Sequence, residues 1–296
     1  MRKILSLDGF THQGYVKPDT PNKGSEDTLA FRDNTFFAVI DGATSVVSHD
    51  MHGLTPAAYL ASYVSQQVGT LPEVTLKTTT ALDVFLTINS NFRTHLNTTF
   101  PAVAAEGKFG PSAAAVMVKL HDDGTYTYAQ VADCFLVEVH DDGTMVLVTP
   151  DQLVNIDNGS MAEAKQRLRD GVSPAEILAD PKVKAILKNN RLMNNVKFGV
   201  INGEDDVKNL VCHGRRSLDG VAALVLMSDG MVMPNNGRED GATLAAKHML
   251  RLGVSAYYRE LKKVYDADPA FTQVLRFKHM DDATGLSVVL GPQITE

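Results

Sequence analysis

The sequence predicts an α+β fold, with two antiparallel sheets packed together and covered by helices. Three observations predict it. Apolar runs rich in β-branched residues recur along the chain, among them Phe36-Phe37-Ala38-Val39-Ile40, Val221–Met227 and Thr284–Leu290. Each has the length of a buried strand. Amphipathic helical patterns lie in pairs between these runs, as layered sheets require. Hairpin signals occupy the middle: His121-Asp122-Asp123-Gly124-Thr125 returns as His140-Asp141-Asp142-Gly143-Thr144, and Asp-Gly between extended runs marks a type I′ turn.

The elements follow in order. Residues 1–7 and 28–33 read as short strands around a polar Gly/Pro/Lys loop, and Phe36–Ile40 as a strong strand. Thr55-Pro56 opens a helix, because proline suits a first turn and Ala57, Leu60, Ala61, Val64 and Val68 share one face. A second helix spans about 81–98. Ser112–Thr149 reads as an antiparallel meander of about four strands. Residues 151–200 turn polar and rich in Asn and Lys, with helices expected at 161–169 and 174–188. This stretch reads as a flap or insertion rather than a separate domain. Leu210–Val211 and Val221–Met227 are expected strands, 239–252 and 255–265 expected helices, and Thr284–Leu290 the last strand. No low-complexity linker divides the chain, so residues 1–296 read as one domain.

Composition narrows the function. The chain has 296 residues, 44% hydrophobic and 21% charged, with a net charge of −7. No Lys/Arg cluster offers a nucleic-acid footprint, and no window approaches a membrane span. Cys134 and Cys212 are too few and too far apart for a disulfide framework or a zinc motif. They read as free thiols in a reducing cytoplasm. The basic start of the chain lacks the apolar stretch of a signal peptide.

Chemistry concentrates where strands end in acid. Asp41-Gly42 follows Phe36–Ile40, Asp229-Gly230 follows Val221–Ser228, and Asp281-Asp282 precedes Ala283–Leu290. Three such ends can converge at one sheet edge. Clustered carboxylates need a counter-charge to stay ionised together. A hard divalent cation, Mg²⁺ or Mn²⁺, is the usual one, and phosphoester chemistry is its commonest use. Taken singly these aspartates are turn formers; their joint context points to a site. His49, His52, His121, His140 and His279 read as surface or loop residues, and Met227, Met231 and Met233 as packing.

Seven pieces then stand in order: Glu26-Asp27; Phe37-Ala38-Val39-Ile40-Asp41-Gly42; Gly110-Pro111-Ser112-Ala113; Val131-Ala132-Asp133-Cys134; Val148-Thr149-Pro150-Asp151-Gln152; Leu226-Met227-Ser228-Asp229-Gly230; and Asp281-Asp282-Ala283-Thr284. The series, from about residue 4 to 291, resembles the PPM family, the metal-dependent protein phosphatases of 2C type, in a bacterial-like variant. The resemblance implies a four-layer α-β-β-α sandwich and hydrolysis of phosphoserine and phosphothreonine in proteins. It implies two Mn²⁺ or Mg²⁺ ions sharing Asp41, with the Gly42 carbonyl and Glu26 completing one and Asp229 and Asp281 holding the other. Asp133 matches the aspartate of a weaker third metal, and Asp27 would orient a metal-bound water. A hydroxide held between the ions would attack phosphorus directly. The implied partner is a phosphorylated protein, such as a Ser/Thr kinase or its targets.

Departures are specific. The family's phosphate-gripping arginine is replaced by Asn22, leaving Lys23 and Lys17 as candidate phosphate contacts. A lysine binds phosphate as a point charge rather than a fork. Ala43 stands where some members carry a histidine, and Gln152 ends the Thr-x-Asp-His piece. A haloacid-dehalogenase mechanism wants an aspartate at position 43 and finds alanine. A regulatory binding module of the same fold, and a small-molecule phosphoesterase, are the remaining alternatives.

Overall fold

Alternation along one strand sets the layers. A computed structural model describes residues 3–14, 24–173, 176–177, 180–234, 238–271, 273–274, 276 and 279–291. In β3 (Phe36–Ala43), Phe36, Ala38 and Ile40 pack on one side, while Phe37 and Val39 pack on the other. Successive strand residues face opposite ways, so this strand is buried on both faces and belongs in the middle of a sandwich.

Its sheet runs β2 (Asp27–Arg32), β3, β4 (Ser112–Leu120), β5 (Thr125–Val131), β8 (Cys212–Ser217). The second runs β1 (Ile4–His12), β10 (Ala283–Leu290), β9 (Val221–Met227), β6 (Phe135–His140), β7 (Met145–Leu147). Every pairing within them is antiparallel. Between the sheets, Phe37, Val39, Val116 and Val118 meet Leu136, Leu224, Leu226, Leu286 and Val288. Burying a side chain of this kind contributes about 1.5–3 kcal/mol.

Helices cover both outer faces. On the first sheet lie α1 (Pro56–Gly69) and α3 (Ala81–Thr99), with the short α2 (Glu73–Thr78) between them and α4 (Pro101–Ala104) after. Leu60, Val64, Phe85, Ile88 and Phe92 meet Phe36, Ala38 and Ile40. The Thr55 hydroxyl caps α1 by accepting from Ala58 N, and Thr80 with Asp83 forms a capping box on α3. The outer face of the second sheet carries α7 (Arg238–Leu252) and α8 (Val254–Asp266). Ala245, Ala246, Met249, Tyr257 and Leu261 cover Phe135, Val137, Val225 and Met227. The order helix, sheet, sheet, helix is the expected α+β architecture.

Local expectations need three corrections. Ser112–Thr149 does hold four strands, but they are two hairpins in different sheets: β4–β5 in the first, β6–β7 in the second. The chain crosses at Ala132-Asp133-Cys134, where Ala132 adopts φ of 59°. The strand expected at Leu210–Val211 begins instead at Cys212, after a 3₁₀ turn over Asp205–Asn209. Among the described residues of the 151–200 stretch, the helix expected at 161–169 starts earlier, as α5 (Val154–Arg169); of the one expected at 174–188, residues 176–177 are helical, 174–175 and 178–179 lie outside the described residues, and α6 spans Pro181–Arg191. Pro181 supplies a first helical turn and Asp180 caps it by accepting from Lys182 N. Among the described residues, no helix is long and apolar enough to cross a membrane.

Candidate active site

Strand register gathers the acids. Asp27 and Asp41 are direct partners across β2 and β3, so their side chains share one face. That face is the one carrying Phe37 and Val39, which points between the sheets. In the second sheet, Phe135 and Gly285 both pair with Met227. Asp133 stands two residues before Phe135 and Asp229 two residues after Met227, at the sheet end where Asp281 enters β10. Both sheets thus present acids at the same end of the sandwich.

The groups are close enough to act on one another. Burial, then the charges of Asp27, Asp229, Asp133 and Asp281, hold the Asp41 carboxyl well above the usual carboxylate range. Asp27 is 4% exposed and is also raised, first by burial and then by Asp281, Asp282 and Asp229, with the Ser228 hydroxyl opposing the rise. Ser228 Oγ donates to Asp27 Oδ2 at 2.6 Å and accepts from Thr284 N at 3.0 Å. Beneath them the Cys134 thiol is pushed up by burial and then by Asp41 and Asp133.

Glu26 sits at the rim. Its backbone carbonyl accepts from Gly42 N at 3.0 Å. Its carboxylate accepts from Thr44 Oγ1 at 2.8 Å and from Thr55 Oγ1 at 2.7 Å. Thr55 in turn caps α1, so the helix start, Glu26 and the end of β3 are one hydrogen-bonded unit. Gly42 permits this closeness: a Cβ there would lie 2.6 Å from the Glu26 carbonyl oxygen and 2.8 Å from that of Ala57.

Gln152 ties the Asp133 turn to Gly199 and Leu210. Its Oε1 accepts from Ala132 N at 3.2 Å and from Gly199 N at 2.9 Å, while its Nε2 donates to Leu210 O at 3.1 Å. Arg191, at the end of α6, donates to Thr44 O at 3.1 Å. The segment ahead of Asp281 is held by Arg276, whose donors reach His279 O, Asp268 Oδ2, Val274 O, Tyr265 O and Asp268 O. Its guanidinium lies 4.1 Å from the centre of the Phe271 ring.

Asp27, Asp41, Asp133, Asp229 and Asp281 come together, and Glu26 and Gly42 adjoin them. Lys17 and Lys23 lie outside the described residues, as does Asn22. His49 pairs with Glu106 at 3.1 Å, and His279 meets Phe271 edge-on. The sequence reading gave no role to Ser228, named Gln152 only as a departure, and took Asp282 only as half of the acidic Asp281-Asp282 pair. The signal for Ser228 and Asp282 was adjacency, since Ser228 precedes Asp229 and Asp282 follows Asp281. Among the described residues, no three His, Cys, Asp or Glu side chains stand in ready-made ligand geometry.

Comparison with solved structures adds the fold's relatives. The serine/threonine phosphatase PstP/Ppp of Mycobacterium tuberculosis superposes with a TM-score of 0.56 at 14% identity, over 98% of this chain and 100% of the other. The fold is that of bacterial serine/threonine phosphatases. The PstP catalytic domain in complex with two manganese ions gives a TM-score of 0.56 at 13% identity, over 98% of this chain and 99% of that one. Serine/threonine phosphatase Stp1 from Staphylococcus aureus gives 0.53 at 14% identity, over 99% and 97%. No family model matches the sequence, and no curated protein matches it.

Proposed function

We propose that this chain is a divalent-cation-dependent phosphatase that hydrolyses phosphoserine and phosphothreonine in proteins. The observation that carries the reading is the meeting of Asp27 and Asp41 from one sheet with Asp133, Asp229 and Asp281 from the other. The groups acting most on Asp41 are all carboxylates, which leaves a concentration of negative charge for a cation to neutralise. The donors are carboxylate and carbonyl oxygens, the set that suits Mn²⁺ or Mg²⁺.

In this reading Asp41 would be shared by two ions. The Gly42 carbonyl and Glu26 would complete one, Asp229 and Asp281 the other, and Asp133 a weaker third. Bound there, the ions supply Lewis acidity at the phosphoryl group and acidify the attacking water. Asp27 is fixed by Ser228 and would orient that water through a hydrogen bond. The Thr44 and Thr55 hydroxyls fix the rotamer of Glu26. The fold shared with PstP and Stp1 supports a phosphoprotein substrate. Residues 151–200 would be a flap within a single domain, its ends joined to the Asp133 turn by Gln152 and to Thr44 by Arg191.

The test is p-nitrophenyl phosphate hydrolysis after EDTA stripping and return of Mn²⁺ or Mg²⁺. Turnover that comes back with metal, and is absent in Asp41→Asn and Asp229→Asn, supports the reading. A folded protein that binds metal without turnover would favour a regulatory module of the same fold.

A further inference from the structure

We propose that Asp282 is the positioning residue of this site: without being a ligand, it fixes the segments that carry Glu26, Asp229 and Asp281 in one arrangement. The inference rests on the metal centre proposed above.

Three donors converge on the Asp282 carboxylate. Gly14 N reaches Oδ1 at 2.6 Å, Ser25 Oγ reaches Oδ2 at 3.2 Å, and Glu26 N reaches Oδ2 at 2.5 Å. The backbone N of Asp282 donates to Asp281 Oδ1 at 2.9 Å. Its carbonyl oxygen lies so close under Gly230 that a Cβ there would sit 1.9 Å from it. One residue therefore touches Glu26 itself, Asp281 itself and the neighbour of Asp229. These segments are far apart in sequence and come from both sheets.

The chemistry of the side chain fits the task. An ionised carboxylate is an acceptor only, and its bonds to backbone N–H groups are charge-assisted. Oδ2 accepts from both Ser25 and Glu26 and Oδ1 from Gly14, so three of the carboxylate's four acceptor sites are spent within the protein. Ser25 extends the clamp by accepting from Asp27 N at 3.1 Å. An asparagine has the same shape but a single acceptor oxygen. Its NH₂ would face either Gly14 N–H or Glu26 N–H, donor against donor, and the clamp would open at one end.

The test compares wild type, Asp282→Asn and Ser25→Ala, each stripped with EDTA and shown to be folded by circular dichroism. Mn²⁺ is titrated calorimetrically, and p-nitrophenyl phosphate turnover is followed against Mn²⁺ concentration. In Asp282→Asn, Mn²⁺ affinity should fall by about tenfold or more, as when an outer partner of a ligand is lost. Its kcat should return at saturating Mn²⁺, because every ligand is still present. Ser25→Ala should weaken affinity less. A folded Asp282→Asn that binds Mn²⁺ as tightly as wild type overturns the proposal. So does a loss of kcat that excess Mn²⁺ does not restore, since that marks a ligand. Should Asp282→Asn not fold, unchanged affinity in Ser25→Ala overturns it. Failure of the underlying metal centre is distinct: wild type itself would take up no Mn²⁺.

Discussion

Ser228 Oγ stands 2.6 Å from Asp27 Oδ2 and donates its proton to it, joining the end of one sheet to the end of the other. The same oxygen accepts from Thr284 N at 3.0 Å. One hydroxyl thus satisfies a buried carboxylate and a buried backbone donor at the point where the candidate ligands converge.

Ser228→Ala removes both bonds and leaves Asp27 and Thr284 N buried without them. The expected cost is about 1–3 kcal/mol, read from urea denaturation. Because the Ser228 bond lowers the Asp27 pKa, the variant should also hold the Asp27 proton to higher pH. An unchanged denaturation midpoint would show that the bond contributes nothing.

Asp41→Asn should stabilise the metal-free fold while abolishing turnover. Burial and the neighbouring aspartates raise the folded pKa of Asp41. For an acid raised in this way, folding favours the protonated form. Stability is therefore lost as pH rises above the unfolded value of about 3.9, until the folded pKa is passed. Asparagine is neutral throughout and escapes that loss. In EDTA at about pH 7–8 its thermal midpoint should exceed that of wild type by a few degrees. A lower midpoint contradicts the electrostatic account.

Gly230→Ala places a Cβ at 1.9 Å from the Asp282 carbonyl oxygen. Backbone cannot yield as a side-chain tip can. The expected loss is about 1–3 kcal/mol or more, with phosphatase activity lost as Asp229 is displaced. Gly69→Ala, at the end of α1 with nothing within 4 Å of the added atom, serves as the control. It should change stability by no more than about 1 kcal/mol.

Glu138 gives a pH dependence remote from the candidate ligands. Its side chain is 1% exposed. It accepts from Tyr126 at 2.6 Å and from Arg216 in a fork at 2.7 Å on each arm. Burial alone would raise it; the Arg216 and Tyr126 bonds and the Arg216 charge outweigh burial and hold it below the usual range. A depressed acid contributes stability above its unfolded pKa, about 4.3, and loses it as pH falls through the folded value. Glu138→Gln should be less stable than wild type near neutrality by about 1–3 kcal/mol. It should also lose less stability than wild type below about pH 4.3. Parallel stability curves in denaturant across acid pH would contradict this.

The layers and most of the acids that converge at the candidate site were legible because they depend on local pattern. Phe36–Ile40 reads as a doubly buried strand wherever it lies, although the strand runs on through Asp41 and Gly42 to Ala43 rather than ending at the acid. The two hairpins from Ser112 to Thr149 were legible as strands but not as members of two sheets. The leading strand of each hairpin, β4 and β6, is buried on nearly every residue, so no alternation told one sheet from the other. The crossing depends on Ala132 at positive φ, which an alanine does not announce. Strand β8 was misplaced because it is an exposed polar edge, Cys-His-Gly-Arg-Arg-Ser, defined by register against β5 rather than by any apolar run. The role of Ser228 and the contacts of Asp282 escaped for a related reason. Their partners, Asp27 and Glu26, stand across the sandwich and are not encoded by spacing.

The most direct test of the central claim is phosphate release from a phosphothreonine peptide by EDTA-stripped protein, with and without Mn²⁺, for wild type and Asp41→Asn. The account predicts Mn²⁺-dependent release by wild type and none by the variant, although the variant folds at least as stably. Release that persists in Asp41→Asn, or that proceeds equally without metal, would contradict it.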